Sequence, residues 1–193
     1  METTFLLSDM SENQSDSDLC IINLVERTSY CYPDNLALIC EDGGATISYR
    51  ELLNRSKELR DFVDIVIGDE SVKFVGVNGA PPNSMVSIMT HRGIGMIVSI
   101  LGVLLAGAAY VPIDPSFPPD RQLHIFTHSR SRILIVDEDN YKAFQEMNID
   151  LANILVINSS TGAIIDKSLC NISEDNKRNI KNKPKPDDLA YGS

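Results

Sequence analysis

His124 and His128 stand four residues apart in the stretch 121–129, whose pattern predicts a helix, and that spacing could present two imidazoles to one metal ion. No H-E-x-x-H string accompanies them and spacing supplies no third ligand, so a solvated helix face is expected instead. Asp137, Glu138 and Asp139 are a run of carboxylates that follows an apolar stretch directly, and they read as the loop that closes a strand. Asn158-Ser159-Ser160-Thr161-Gly162 has the hydroxyls of a phosphate-binding loop. Such a loop needs backbone N–H groups bared by glycine and a cation nearby. This one has a single glycine, no suitably placed lysine and apolar runs on both sides, so a hairpin turn is expected. Cys20 and Cys31 have no His or basic partner in sequence, which predicts buried or inert thiols rather than nucleophiles.

Whatever chemistry the chain does must therefore come from how its elements are arranged. Its 193 residues are 43% hydrophobic and carry a formal charge of −10, the composition of one soluble globular domain or part of one. The acidic surplus excludes a nucleic-acid partner, which requires clustered Lys and Arg. Cys20, Cys31, Cys40 and Cys170 form no C-x-x-C pair and no dense framework, so reduced thiols in the cytoplasm are expected. The opening METTFLLSDM lacks a basic stretch and its apolar part is only Phe5-Leu6-Leu7, too short for a secretion signal. Residues 8–18 are almost wholly polar, so 1–18 is expected to be a disordered tail. Gly93 to Asp114 is uncharged until its last residue, which raises the question of a membrane span. Four glycines and Pro112 interrupt it, and a helix wedged between layers is apolar all round for the same reason, so no membrane partner is expected.

Period and punctuation give the order of elements. A first helix is predicted over Leu19–Val25, capped by Ser17 or Asp18, and a short strand over Leu36–Cys40. Asp42-Gly43-Gly44 turns the chain. Ser48 and Glu51 have the S-x-x-E spacing of a capping box. The helix behind it places Leu52, Ser56, Leu59 and Val63 on one buried face, with Arg50, Asn54, Lys57 and Asp61 off it. Strands are predicted over Val72–Val77 and Met85–Met89, separated by a loop through Pro81 and Pro82. A central helix, Ile94–Leu105, should be buried on all sides. Then follow a helix over Arg121–Ser129, a continuous apolar strand over Arg132–Val136, a helix over Tyr141–Met147 and a strand over Ile154–Ile157. Strands alternating with helices predict an α/β layered fold with a largely parallel sheet flanked by helices. Residues 174–188, with Pro184 and Pro186, read as a polar connector.

Two strings carry more than punctuation. Ile47-Ser48-Tyr49-Arg50-Glu51-Leu52 resembles the opening motif L-(T/S)-Y-x-E-L of nonribosomal peptide synthetase adenylation domains, members of the adenylate-forming (AMP-dependent synthetase/ligase) enzymes. Leu104-Leu105-Ala106-Gly107-Ala108-Ala109-Tyr110-Val111-Pro112-Ile113-Asp114 resembles their second motif, L-K-A-G-x-A-Y-(V/L)-P-(I/L)-D, with Leu105 in place of lysine; Pro115, Pro118 and Pro119 look like its continuation. In physical terms Gly107 can supply the left-handed residue that ends a helix, and Pro112 and Pro115 stiffen the exit. Leu189-Ala190-Tyr191 resembles the start of a third motif, whose phosphate-holding glycines, hydroxyls and lysine do not occur in these residues.

The resemblance spans residues 19–191 and implies the incomplete amino-terminal part of the family's large subdomain. For a full-length relative it implies ATP, magnesium and a phosphopantetheine carrier, with an amino or other carboxylic acid activated as an acyl adenylate. For this chain alone the resemblance implies no catalytic, cofactor-binding or metal residue, the remainder of a larger synthetase as partner, and no activity in isolation. Ser48, Tyr49, Glu51, Leu52, Ala106, Gly107, Ala109, Tyr110, Pro112, Asp114, Pro115, Leu189, Ala190 and Tyr191 are motif residues with structural roles. Two other readings stand beside it: a noncatalytic module that docks on another polypeptide through its unfinished sheet edge, and a fragment without function; self-association through exposed apolar surface is also expected.

Overall fold

The computed structural model describes residues 20–40, 44–68, 84–146 and 153–166. The expected tail, the strand over Val72–Val77 with its following loop, the connector 174–188 and Leu189, Ala190 and Tyr191 lie outside the described residues.

Helix α1 runs over Ile21–Cys31, longer than the predicted Leu19–Val25. The residue at its cap position is Cys20, in an extended conformation and with no side-chain cap bond; the expected Ser17 and Asp18 caps fall outside the described residues. Strands β1 (Leu36–Ile39) and β2 (Thr46–Ser48) pair antiparallel in a small sheet of their own. Helix α2 (Tyr49–Gly68) follows at once. Half of the predicted capping box forms: the Glu51 N–H donates to Ser48 Oγ at 3.3 Å. Glu51 turns its carboxylate instead to Arg55, one turn on, because an opposite charge at that spacing competes for it. Leu52, Ser56, Leu59 and Val63 are all buried as the period requires.

The larger sheet has the order β4-β3-β5-β6-β7. Strands β3 (Met85–Met89), β4 (Ala109–Pro112), β5 (Ile133–Asp137) and β6 (Ile154–Ile157) are parallel, and β7 (Ile164–Asp166) closes a hairpin against β6. Alternate residues of these strands feed two cores. Val86, Ile88, Ile133, Ile135, Leu155 and Ile157 pack with α1, α2 and helix α3 (Ile94–Leu105). Met89, Leu134, Val136 and Val156 pack with Phe126 of helix α4 (Pro119–Ser129) and Tyr141 of helix α5 (Glu138–Glu146). The result is three layers, helices on both faces of a mostly parallel sheet, as the alternation of elements predicts.

Helix α3 departs from the prediction of burial on all sides. Ile94, Val98, Leu101, Val103 and Leu105 are buried, whereas Met96, Ile97, Ile100 and Leu104 are only half-buried. Its sheet and α2 cover one side of the helix and leave the other facing two clefts. Its end follows the expected chemistry. Gly107 has φ +69°, and the Gly107 and Ala108 N–H groups donate to the Leu104 and Val103 carbonyls at 3.0 and 3.1 Å, a Schellman arrangement.

The stretch after Gly107, expected as an extended exit path fixed by Pro112 and Pro115, is strand β4 over Ala109–Pro112. Ala109 N–H donates to Ser84 and Ile113 N–H to Ile88, so odd-numbered residues face β3 and Pro112 faces the open edge, where a missing N–H costs the ladder nothing. Likewise the carboxylates 137–139 are no loop: Asp137 ends β5, and Glu138 and Asp139 form the first turn of α5, where acidic side chains suit the helix dipole.

Candidate functional site

The chain leaves β3 through α3 to reach β4 on one side, and leaves β5 through α5 to reach β6 on the other. Neighbouring strands whose connections depart in opposite directions open a crevice at their carboxyl ends, the usual ligand position in such sheets. Here those ends are Thr90-His91 and Asp137.

Asp137 is 1% exposed and ties the two strand ends together. Its Oδ1 accepts the Asn140 N–H at 3.0 Å, capping α5. Its Oδ2 accepts the His91 N–H at 2.6 Å and lies 2.8 Å from His91 Nδ1. Both oxygens serve as acceptors, so the shared proton sits on Nδ1 and the His91 ring keeps Nε2 for another partner. Asn140 Nδ2 donates to the Met89 carbonyl at 3.4 Å and completes the tie.

A cleft of about 640 Å³ opens beside this cluster. Thr90, His91, Arg92 and Asn140 form its polar side; Met96 and Ile100, from the half-open face of α3, form part of its floor; Tyr110, Pro112, Asp114 and Pro115 form the opposite wall. Four of the expected motif residues thus come together. Asp114 Oδ1 accepts the Ser116 N–H at 2.8 Å, and that backbone bond, with the Ser116 side chain and Arg92 contributing, holds its carboxyl below the usual range. Thr90 is 6% exposed and its Oγ1 has no hydrogen-bond partner. A second cleft of about 490 Å³, lined by Ile39, Ile97 and Ser159, shares Arg92 and Met96 with the first.

The other motif residues among those described belong to the scaffold. Ser48 caps α2, Tyr49 begins it with its N–H on the Asn35 carbonyl at 3.0 Å, and Leu52 is buried. Ala106, Gly107 and Ala109 form the α3 end and the start of β4. The cleft's Thr90, His91, Arg92 and Asn140 have no spacing that marks them in the sequence. Their only signal is position, at the ends of two strands that topology makes neighbours.

The loop 158–162 is the predicted hairpin turn and does not fit phosphate. Asn158 Oδ1 already takes the Thr161 N–H at 2.8 Å and its hydroxyl at 2.9 Å. The Gly162 N–H donates to the Asn158 carbonyl at 2.7 Å. The Ser159 carbonyl accepts from Gly95 at 2.9 Å, so the turn offers its oxygens to α3 rather than its N–H groups to an anion. His124 and His128 stack their rings with centroids 5.5 Å apart on an exposed face, and the described residues hold no cluster of three metal-ligating side chains. Cys31 is exposed, so the inert rather than the buried form of the expectation applies to it, while Cys20 and Cys40 are half-buried; all three are free thiols. No helix among the described residues is long and apolar enough to cross a membrane.

The family model described as AMP-binding enzyme matches residues 72–192. Bacitracin synthase 3 of Bacillus licheniformis is 32% identical over 139 residues, covering 71% of this chain and 2% of that protein. Tyrocidine synthase 2 of Brevibacillus parabrevis is 30% identical over 191 residues, covering 98% of this chain and 4% of its own length. The chain therefore spans only a small part of these relatives. The fold is similar to that of the nonribosomal peptide synthetase FmoA3 in its α-methyl-L-serine-AMP-bound form, with a TM-score of 0.64 at 18% identity over 92% of this chain and 17% of that one.

Proposed function

This chain belongs to the AMP-binding enzyme family, and from that premise we propose that it is the scaffold-forming amino-terminal portion of a nonribosomal-peptide-synthetase-type adenylation domain acting in the cytoplasm. The domain runs over 19–191, with 174–188 a polar connector. The activity it would serve is activation of an amino or other carboxylic acid as an acyl adenylate, using ATP and magnesium, followed by transfer to a phosphopantetheine thiol. The remainder of a larger synthetase is its natural partner. The observation that carries the reading is the family match over 72–192, within which Leu104–Pro115 builds a helix end, an edge strand and a cleft wall.

The described residues contribute positioning. Asp137 and His91 lock β3 to β5, and Gly107 sets the angle at which β4 leaves α3. Nucleotide chemistry needs glycine-bared N–H groups and a cation, and the turn at 158–162 uses its Thr161 and Gly162 N–H groups on Asn158. The 193 residues contain no T-S-G-S-T-G-x-P-K-G string. Alone, the chain should show no acid-dependent exchange of pyrophosphate into ATP above a no-enzyme control. Exchange with any amino, aryl or fatty acid would overturn the assignment of a purely positioning role.

A further inference from the structure

We propose that His124 and His128 form a two-histidine site on the exposed face of α4 for a borderline divalent cation of the Zn²⁺, Ni²⁺ or Cu²⁺ class. This goes beyond the adenylation reading. Helix α4 covers the sheet face opposite α3, and neither histidine lines the clefts beside α3.

Position is the first argument. The helix runs over Pro119–Ser129, so both residues lie inside it, one turn apart on the same row. Both are exposed, and their rings stack with centroids 5.5 Å apart and planes 18° from parallel. A metal ion takes an imidazole nitrogen at about 2.0–2.1 Å, so two nitrogens that share it stand at most about 4 Å apart. Rings already face to face on a solvated surface reach that spacing by turning about their side-chain torsions, a picosecond-to-nanosecond motion.

Availability is the second. Among the described residues neither ring takes part in a hydrogen bond or an ion pair, so a metal displaces no partner. His91, the third histidine of the chain, differs in having its Nδ1 committed to Asp137 at 2.8 Å. Two cations flank the pair: Arg121 is laid over the Phe117 ring, 4.0 Å from its centroid, and Arg130 lies past the last helical residue.

Charge and ligand chemistry are the third. His128 sits in the last turn of α4, where unpaired carbonyls and the negative end of the helix dipole favour a cation. Asp120 occupies the same row one turn before His124, and the net charge of −10 concentrates cations at the surface. Among the described residues no third metal-ligating side chain joins the two imidazoles. Water fills the remaining positions, which makes the site an open, exchangeable one rather than a closed structural centre. Imidazole selects copper, nickel and zinc over magnesium, which prefers hard oxygen ligands. A bound ion clamps the last turns of α4 and so stabilises the folded chain.

The test is titration of the metal-free 193-residue chain with Ni²⁺, read by calorimetry and by the histidine ring resonances, which the paramagnetic ion broadens. The His124 and His128 signals should broaden together and before that of His91, and the melting temperature should rise. His124→Gln and His128→Gln should each weaken Ni²⁺ binding at least about tenfold, because even groups that merely support a ligand are worth about 10–100-fold. Glutamine suits an exposed helix position, so both variants should melt with the parent when no metal is present. An excess of Mg²⁺ should leave Ni²⁺ binding unchanged. Broadening of His91 at the same Ni²⁺ concentration as the pair, or undiminished affinity in either variant, would mean adventitious surface binding and overturn the proposal. No nucleotide or acid is present, so these outcomes are independent of the pyrophosphate-exchange result.

Discussion

Asp64 shows how a single carboxylate can set the pH at which this chain is most stable. Its Oδ2 is buried without a hydrogen bond, and the nearest cation, Arg60 Nε, is 4.0 Å away. Burial, reinforced by Asp61 and only partly opposed by Arg60, raises its pKa from 3.8 to about 6. A raised carboxyl pKa means that the folded chain holds the proton more tightly than the unfolded one. Its contribution is therefore favourable at low pH, fades as pH rises from about 4 to about 6, and stays lost above that. Asp64→Asn should remove this loss, gaining about 2 kcal/mol at pH 7 and little at pH 4. Urea unfolding midpoints of the two proteins at both pH values check it, and parallel curves would refute it. Asp137 illustrates the limit of reading residues in sequence. Its carboxylate looked like one of three in a loop, because the groups that explain it, the His91 N–H and imidazole, lie forty-six residues upstream and only the sheet brings them together.

Elements were more legible, and the reasons are local. Strands β3 and β6 and the buried face of α2 follow directly from apolar period, since those positions are buried by the nearest layer and need no distant partner to be recognised. Strand β4 was missed because Pro112 reads as a breaker, and only knowledge of the edge makes it compatible with pairing. The close approach of α2 to α3 was equally hidden, and it rests on Gly102. A Cβ there would stand 2.5 Å from Leu59 Cδ2, 2.9 Å from Leu59 Cβ and 3.0 Å from the Ser56 carbonyl oxygen. The methyl end can rotate away, but the Leu59 Cβ and the Ser56 backbone cannot. Gly102→Ala gains about 1 kcal/mol of helix propensity against overpacking of about 1–3 kcal/mol, so the clash should prevail. The variant is expected to melt several degrees lower, and a higher melting temperature would mean that the two helices separate freely.

At the scale of the whole molecule, opposing surface forces decide whether the chain stays monomeric. Ile21, Leu24, Tyr32, Leu36, Ile39 and Ile165 are between 44% and 67% exposed, and the half-open face of α3 adds Met96 and Ile97 to the wall of the second cleft. Contiguous apolar surface of more than a few hundred Å² marks a partner or a tendency to associate. Against it stands the net charge of −10, which repels like copies over about 30 Å at 0.01 M salt but only about 8 Å at physiological salt. The chain should therefore be dispersed at low ionic strength, and should self-associate and bind a hydrophobic dye as salt is added. A longer product carrying the family's downstream residues should suppress both, because those residues would cover the open faces. Light scattering and dye fluorescence across a salt series, on both products, separate the readings. A dye-negative monomer at every salt concentration would show that 193 residues close their own surface, and would favour a self-sufficient module over part of an adenylation domain.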